Sequence, residues 1–456
     1  MYRRIITLFC LALFALAPFR AASAQQNQRL NLIRDAEIEN TIRTLVTPIW
    51  RAAGLDPNAV EIMIVQDHSL NAFVAGGQRI FINTGLIMRT ETPNQLIGVL
   101  AHESGHIAGG HLARMQEELR SLTTLQILEA ILGGGALAAG ALSGSGGRGG
   151  PTTGVGGPQA PGSLLSFLKY SQTQENAADQ AAITYMQRTG QSLKGTIEFL
   201  RVLQREERLQ INRRDPYLTT HPLTPERITT FEEAAARSPY TNTPDTAQAL
   251  SMHHRVVAKL MGFITPDVAL QRFSEADRAV HARYARAIAW YRKGALGSAL
   301  LTIDGLIKEY PNDPYFHEVR GQMLYENGKA TEAIASYRRA VQLLPSSAII
   351  KIDYARALLD TNSPDNDREA VRNLEQAAQQ EPGSFDLWRL MASGYSKLNN
   401  PGMTSLARAE MAVLRGQRSE AQAHADTALR QLQAGTPAWQ RAQDIKAYIK
   451  TRPAGR

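Results

Sequence analysis

Cysteine is nearly absent from this 456-residue chain, and the single one, Cys10, sits in an apolar run near the N-terminus. A lone thiol cannot close an internal disulfide. If Cys10 is lost with a cleaved leader, imidazole and carboxylate are left as the side chains to hold a transition metal. Long hydrophobic runs are missing too. Residues 5–18 are mostly apolar and follow Arg3 and Arg4, but the run is shorter than the ~20 residues a bilayer span needs. Ala22-Ser23-Ala24 then supplies the small-x-small pattern that precedes a cleavage site, so residues 1–24 read as a removable signal peptide. Charge of one sign is scarce as well. The formal charge is +8, and without Arg3, Arg4 and Arg20 of that leader it is +5, with no dense basic cluster. This speaks against nucleic acid as a partner and for a mixed, solvated surface. The length exceeds what one core organises and implies two or three domains.

What the chain does have is Leu100-Ala101-His102-Glu103-Ser104-Gly105-His106, a His-Glu-x-x-His within a run of helical periodicity. Residues four apart lie one above the other on a helix, so His102 and His106 can bind one ion together. Zinc accepts neutral imidazole, and with three protein ligands a fourth position stays open for water. Glu103 is placed to act as general base on that water. Chance produces such a pattern in a chain of this length on the order of one time in a hundred, so the surrounding sequence has to support it.

Taken in order, residues 30–53 carry apolar side chains at helical spacing, from Leu32 and Ile33 to Ile49 and Trp50, and Gly54 with Pro57 stops them. Two β-like runs follow at 60–65 and 78–82, separated by Asn71-Ala72-Phe73-Val74-Ala75-Gly76-Gly77, where the glycine pair marks a turn. An edge strand beside a metal helix could pair with an extended substrate backbone. Thr84-Gly85-Leu86 ends the sheet, and Thr92-Pro93-Asn94 opens a helix that should run from Gln95 to Met115.

A third histidine at position 112 would complete a longer zinc motif, but that position is Leu. His111 comes one residue early, about 100° around the helix, and is expected to be a partly exposed helix residue. The better source of a third ligand is downstream. Glu175 and Asp179 are four apart in a helical run that stops at Gly190. One of these carboxylates can ligate the metal while the other accepts an N–H from a ligand histidine.

Four stretches together carry a family resemblance. They are Asn71-Ala72-Phe73 with Asn83-Thr84-Gly85-Leu86, then His102-Glu103-x-Gly105-His106, then Glu175-x-x-Ala178-Asp179, then Thr220-His221-Pro222-Leu223-x-x-Glu226-Arg227. Over roughly residues 30–235 the chain resembles the HtpX-like and CAAX-prenyl-protease-like gluzincin metallopeptidases. The resemblance implies one zinc ion on His102, His106 and Glu175, with Glu103 as catalytic base, Asp179 as a supporting acid behind the ligands, and endopeptidase activity. Periplasmic members are associated with quality control of outer-membrane proteins. The resemblance therefore implies unfolded or misfolded envelope proteins as substrates, and an outer-membrane assembly machine as a partner.

Pro222 favours an extended backbone at His221, which could present its imidazole to the site. His221 is then a candidate oxyanion donor, or a latch on the open metal position. Arg227 is an alternative oxyanion stabiliser or the partner of a carboxylate, and Asn71, Ala72 and Phe73 are candidate substrate contacts. Between the metal helix and Glu175, residues 121–168 join two apolar arms through a Gly- and Pro-rich stretch. They read as a lid, with peripheral membrane contact as a further reading.

From about residue 240 the pattern changes. Tyr291, Gly294, Ala299 and Pro311 recur as Tyr325, Gly328, Ala333 and Pro345, each 34 residues later, the tetratricopeptide period. About four such units and a terminal helix form a scaffold that binds proteins and has no catalytic chemistry of its own. Tyr291, Tyr325, Tyr337 and Trp388 are expected mainly in its core. The reading is a mostly helical α+β chain: a signal peptide over 1–24; a peptidase domain over 25–240 with a small antiparallel or mixed sheet; a helical linker over 241–275; and an all-α tetratricopeptide solenoid over 276–450. Its function is that of an exported zinc endopeptidase. The alternative is a chaperone or scaffold whose peptidase site is latent.

Overall fold

The structure, a computed structural model, describes residues 31–111, 172–209 and 221–451. The expected signal peptide over residues 1–24 and the expected lid over 121–168 lie outside the described residues. The first strand, β1 (Leu32–Ile33), precedes helix α1 (Ala36–Ala52). Leu32 and Ile33 were expected within the helix. Asp35 instead caps it, accepting from the Ile38 amide at 2.9 Å, and the residues before the cap are extended. Strands β2 (Glu61–Val65), β3 (Ala72–Ala75) and β4 (Arg79–Asn83) complete a mixed four-stranded sheet of order β1-β2-β4-β3. β2 and β4 are parallel, with Ile62 opposite Ile80, while β1 on β2 and β3 on β4 are antiparallel. β3 is a strand where the sequence suggested only a connection. Ala-Phe-Val-Ala is buried on both faces and so lacks the alternation that marks a strand.

Helix α2 (Thr84–Arg89) follows directly, where the sequence suggested only the end of the sheet. The metal helix α3 (Pro93–Ala108) is capped by Thr92. It ends well before the expected Met115, because Gly109 and Gly110 break it and Gly110 turns the chain at φ 62°. Every residue from Pro93 to His106 is buried, so α3 is the central rod of the domain. Around it stand α4 (Gln172–Arg188), α5 (Lys194–Leu209) and α6 (Pro225–Arg237). Gly105 lets α4 approach closely, since a Cβ there would lie 2.9 Å from the Ala178 carbonyl oxygen.

Helices α7 (Ala247–Ile264) and α8 (Pro266–Arg272) share the apolar core of α1, the sheet and α3. Ala282, Ala285 and Ala289 of the first repeat helix join the same core. Buried charge ties the two parts further. Lys259 is fully buried and lies 2.7 Å from Asp35, 3.3 Å from Glu318 and 3.4 Å from Glu37. Arg255 pairs with Glu37 at 2.6 Å and with Asp313 at 2.5 Å.

Five helix pairs follow among the described residues, beginning with Val280–Arg292 and Leu296–Glu309 and closing with Arg418–Gln431 and Pro437–Thr451. Gly294 and Gly328, one repeat apart, both adopt positive φ between the helices of a pair. Tyr291, Tyr337 and Trp388 are buried and Tyr325 is partly so, as expected of repeat core. The fold is therefore mostly helical, with a small mixed sheet followed by tetratricopeptide-like repeats. Among the described residues no helix is long and apolar enough to cross a membrane.

Candidate metal centre

Helix α3 places His102 and His106 one turn apart, with their Nε2 atoms 3.0 Å from each other. The close passage of α4 at Gly105 brings Glu175 to them. Its Oε2 lies 3.4 Å from His102 Nε2 and its Oε1 3.3 Å from His106 Nε2. His221, four residues ahead of α6, adds its Nδ1 at 3.3 Å from His102 Nε2 and 2.9 Å from Glu175 Oε1. These four buried side chains offer donor atoms within 4.8 Å of one another. Ligands at about 2.0–2.1 Å from a tetrahedral ion stand about 3.3 Å apart. The separations of 2.9–3.4 Å given above are close to that edge, so the residues could hold a metal ion.

The supporting contacts are specific. Asp179 Oδ1 meets His102 Nδ1 at 2.8 Å, which turns the other ring nitrogen toward the cluster. Arg227 donates to both oxygens of Asp179, at 2.7 and 2.8 Å, pairs with Glu175 Oε2 at 2.8 Å, and reaches the Pro222 carbonyl at 3.3 Å. It is a partner of two carboxylates and ties the His221 loop to them. His111 is buried, with its Nδ1 3.0 Å from His106 Nδ1. The expected partly exposed helix residue is instead a contact of a cluster histidine. Its signal in the sequence is the Gly109-Gly110 pair, which ends the helix just before it.

Charge balance follows the geometry. Burial pulls the His102 pKa down, but Glu175 and Asp179 outweigh it and raise it to about 9. Burial opposes ionisation of Glu175, yet His221 and His102 hold that carboxyl well below its usual range. Asp179 is likewise held low against burial by His102 and Arg227. Burial sets His106 well below 6.5. Glu103 differs from the other acids. It is fully buried, burial raises its pKa, and neither carboxylate oxygen has a hydrogen-bond partner among the described residues. His221 Nε2 stands 3.5 Å from it.

Asn71, Ala72 and Phe73 are not part of the cluster. Asn71 is buried just before β3 with its side-chain amide unpartnered among the described residues, and Phe73 stacks on Phe81 at 4.9 Å. β3 ends the sheet, as an edge strand should.

A buried two-histidine helix, a carboxylate from the next helix and a buried acid beside them make a candidate metal centre. Residues 32–235 match peptidase family M48, residues 268–314 match the tetratricopeptide repeat, and residues 307–412 match the cytochrome c-type biogenesis protein H TPR domain. The chain thus combines an M48 peptidase domain with tetratricopeptide repeats. Among curated proteins it is similar to the beta-barrel assembly-enhancing proteases of Escherichia coli K12 and Yersinia pestis. The first is 24% identical over 89% of this chain and 81% of that protein, the second 24% over 86% and 79%. Among solved structures it is similar to yeast Tom70, at 13% identity over 80% of this chain and 82% of that one, with a TM-score of 0.28.

Proposed function

We propose that this chain is an exported, zinc-dependent endopeptidase of the cell envelope. It degrades misfolded outer-membrane proteins and assists their assembly through its repeats, with the leader removed near Ala24. The protease class rests on the M48 match and on relatives named as beta-barrel assembly-enhancing proteases. The observation that carries the chemistry is Glu103, a buried carboxylate with no hydrogen-bond partner among the described residues, beside a cluster of four potential metal donors.

In this reading His102, His106 and Glu175 hold one zinc ion. Bound zinc polarises the scissile carbonyl and acidifies a water. Glu103 takes the proton of the attacking water and passes it to the leaving amine, a task served by a pKa that burial has raised above the usual carboxylate range. Asp179 fixes the His102 tautomer, and Arg227 holds Asp179 and Glu175 in place. Asn71, Ala72 and Phe73 lead into the edge strand along which a substrate backbone can lie. The test is Glu103→Gln, which keeps the fold and the metal but removes the base. Unfolded envelope proteins should then persist, and cleavage at the wild-type rate would refute the assignment.

The position of His221 Nδ1 among the donors favours a latched resting state, because a closed set of four ligands leaves no position for water. Turnover then requires the His221 loop to move away. If His221→Ala changed neither proteolysis nor zinc content, the latch would be excluded.

A further inference from the structure

The two histidines of the metal helix are supported differently. His102 Nδ1 meets the Asp179 carboxylate, while His106 Nδ1 meets a third imidazole, that of His111, at 3.0 Å. The route by which His111 reaches this position is built into three consecutive residues. Gly109 caps the end of α3, and Gly110 takes the positive φ of 62° that breaks the helix. The His111 ring then folds back over the helix end, crossing so close to Gly109 that a Cβ there would lie 2.6 Å from His111 Nε2. The two rings meet nearly edge to face, with centroids 5.1 Å apart and planes at 73°. His111 is buried, so this contact is made away from water.

Tautomer logic assigns the roles. His106 Nε2 faces His102 Nε2 and Glu175, and as a donor atom toward a metal it must offer its lone pair. The His106 proton then sits on Nδ1 and needs an acceptor. His111 Nδ1 is within hydrogen-bond distance. His111 must therefore be neutral with its own proton on Nε2.

We infer that His111 is a positioning residue, accepting the Nδ1 proton of His106 so that the Nε2 lone pair of His106 stays turned into the donor cluster. The inference rests on the metal-centre reading proposed above. It extends that reading to a residue outside the ligand set, whose effect is exerted through His106.

The test measures zinc affinity on the full chain, by competition with a chromophoric chelator, for wild type, His111→Ala and His111→Asn. Asparagine puts its Oδ1 close to where the histidine Nδ1 sits, so it restores an acceptor without a ring. The expected result is binding about 10–100-fold weaker in His111→Ala and within about threefold of wild type in His111→Asn. Cobalt(II) in place of zinc gives a second readout. Its visible bands should shift in the alanine variant and return in the asparagine variant, while the chelated forms of all three proteins melt together. If alanine prevents folding, His111→Gln, whose amide reaches toward the Nε2 position, serves as the variant lacking the acceptor. Equal affinity in wild type and His111→Ala overturns the inference, and so does an asparagine variant as weak as alanine. A wild-type chain that takes up no zinc overturns the metal-centre reading itself, and this inference with it.

Discussion

Around Glu175 the peptidase region buries four histidines, three carboxylates and one arginine in a cluster assembled from three helices, the loop that carries His221 and the segment after Gly110, and each contact there occurs once. The repeats work the other way. Tyr291 donates to Glu326 and Tyr325 donates to Asp360, the same tie one unit later, over a core rich in alanine such as Ala299, Ala333 and Ala340. In the first region a single substitution removes a function that nothing else supplies. In the second, the same substitution weakens one of several equivalent joints.

The largest effect that would break this contrast is at Glu103. Glu103→Gln should lower peptide hydrolysis by about 10²–10⁴-fold, as expected for loss of a general base, with thermal unfolding of the repeats unchanged. A smaller loss would place the reaction elsewhere. Next comes the junction, where Lys259 faces Asp35, Glu37 and Glu318 in a fully buried position. Lys259→Ala leaves those acids without their shared cation and should cost about 3–5 kcal/mol in denaturant unfolding. It should also uncouple the melting of the two regions, which are expected to unfold together in the wild type.

His253 supplies the pH dependence. The Thr90 hydroxyl donates to the Ile87 carbonyl at 2.8 Å, so His253 Nε2 must donate to Thr90, also at 2.8 Å, while the buried Nδ1 has no hydrogen-bond partner among the described residues to take a second proton. Burial first, and His254 second, lower its pKa from 6.5 to about 4. The unfolded chain therefore binds the extra proton first as pH falls. The stability tied to neutral His253 is whole above pH 6.5 and disappears toward pH 4, amounting to about 3 kcal/mol. His253→Gln should flatten the acid limb of a melting-temperature profile by that amount. Within the repeats, Tyr325→Phe removes one inter-repeat tie and should cost only about 0.5–1.5 kcal/mol in the same assay.

How far the sequence could be read depended on whether a feature was local. His102 and His106 were visible because four-residue spacing is itself a helical contact, and Glu175 with Asp179 for the same reason. The 34-residue recurrence exposed the repeats, because each unit packs only on its neighbours. β3 was hidden because burial on both faces erases the alternating pattern. The contact of His111 with His106 was hidden because one unbroken helix would turn His111 away, whereas Gly109-Gly110 ends α3 before it. Lys259 looked like any surface lysine, since its partners Asp35 and Glu318 are remote in the chain. The seat of His221 beside Glu175 was foreseen only as one of two options, because a loop carries no periodicity to fix its direction.

The most direct test of the account is metal content. The purified wild-type chain and its Glu175→Gln variant are dialysed against trace zinc and analysed for metal per chain. One zinc ion in the wild type and little or none in the variant is the predicted result. Equal zinc in both, or none in the wild type, would contradict the assignment of His102, His106 and Glu175 as a metal centre.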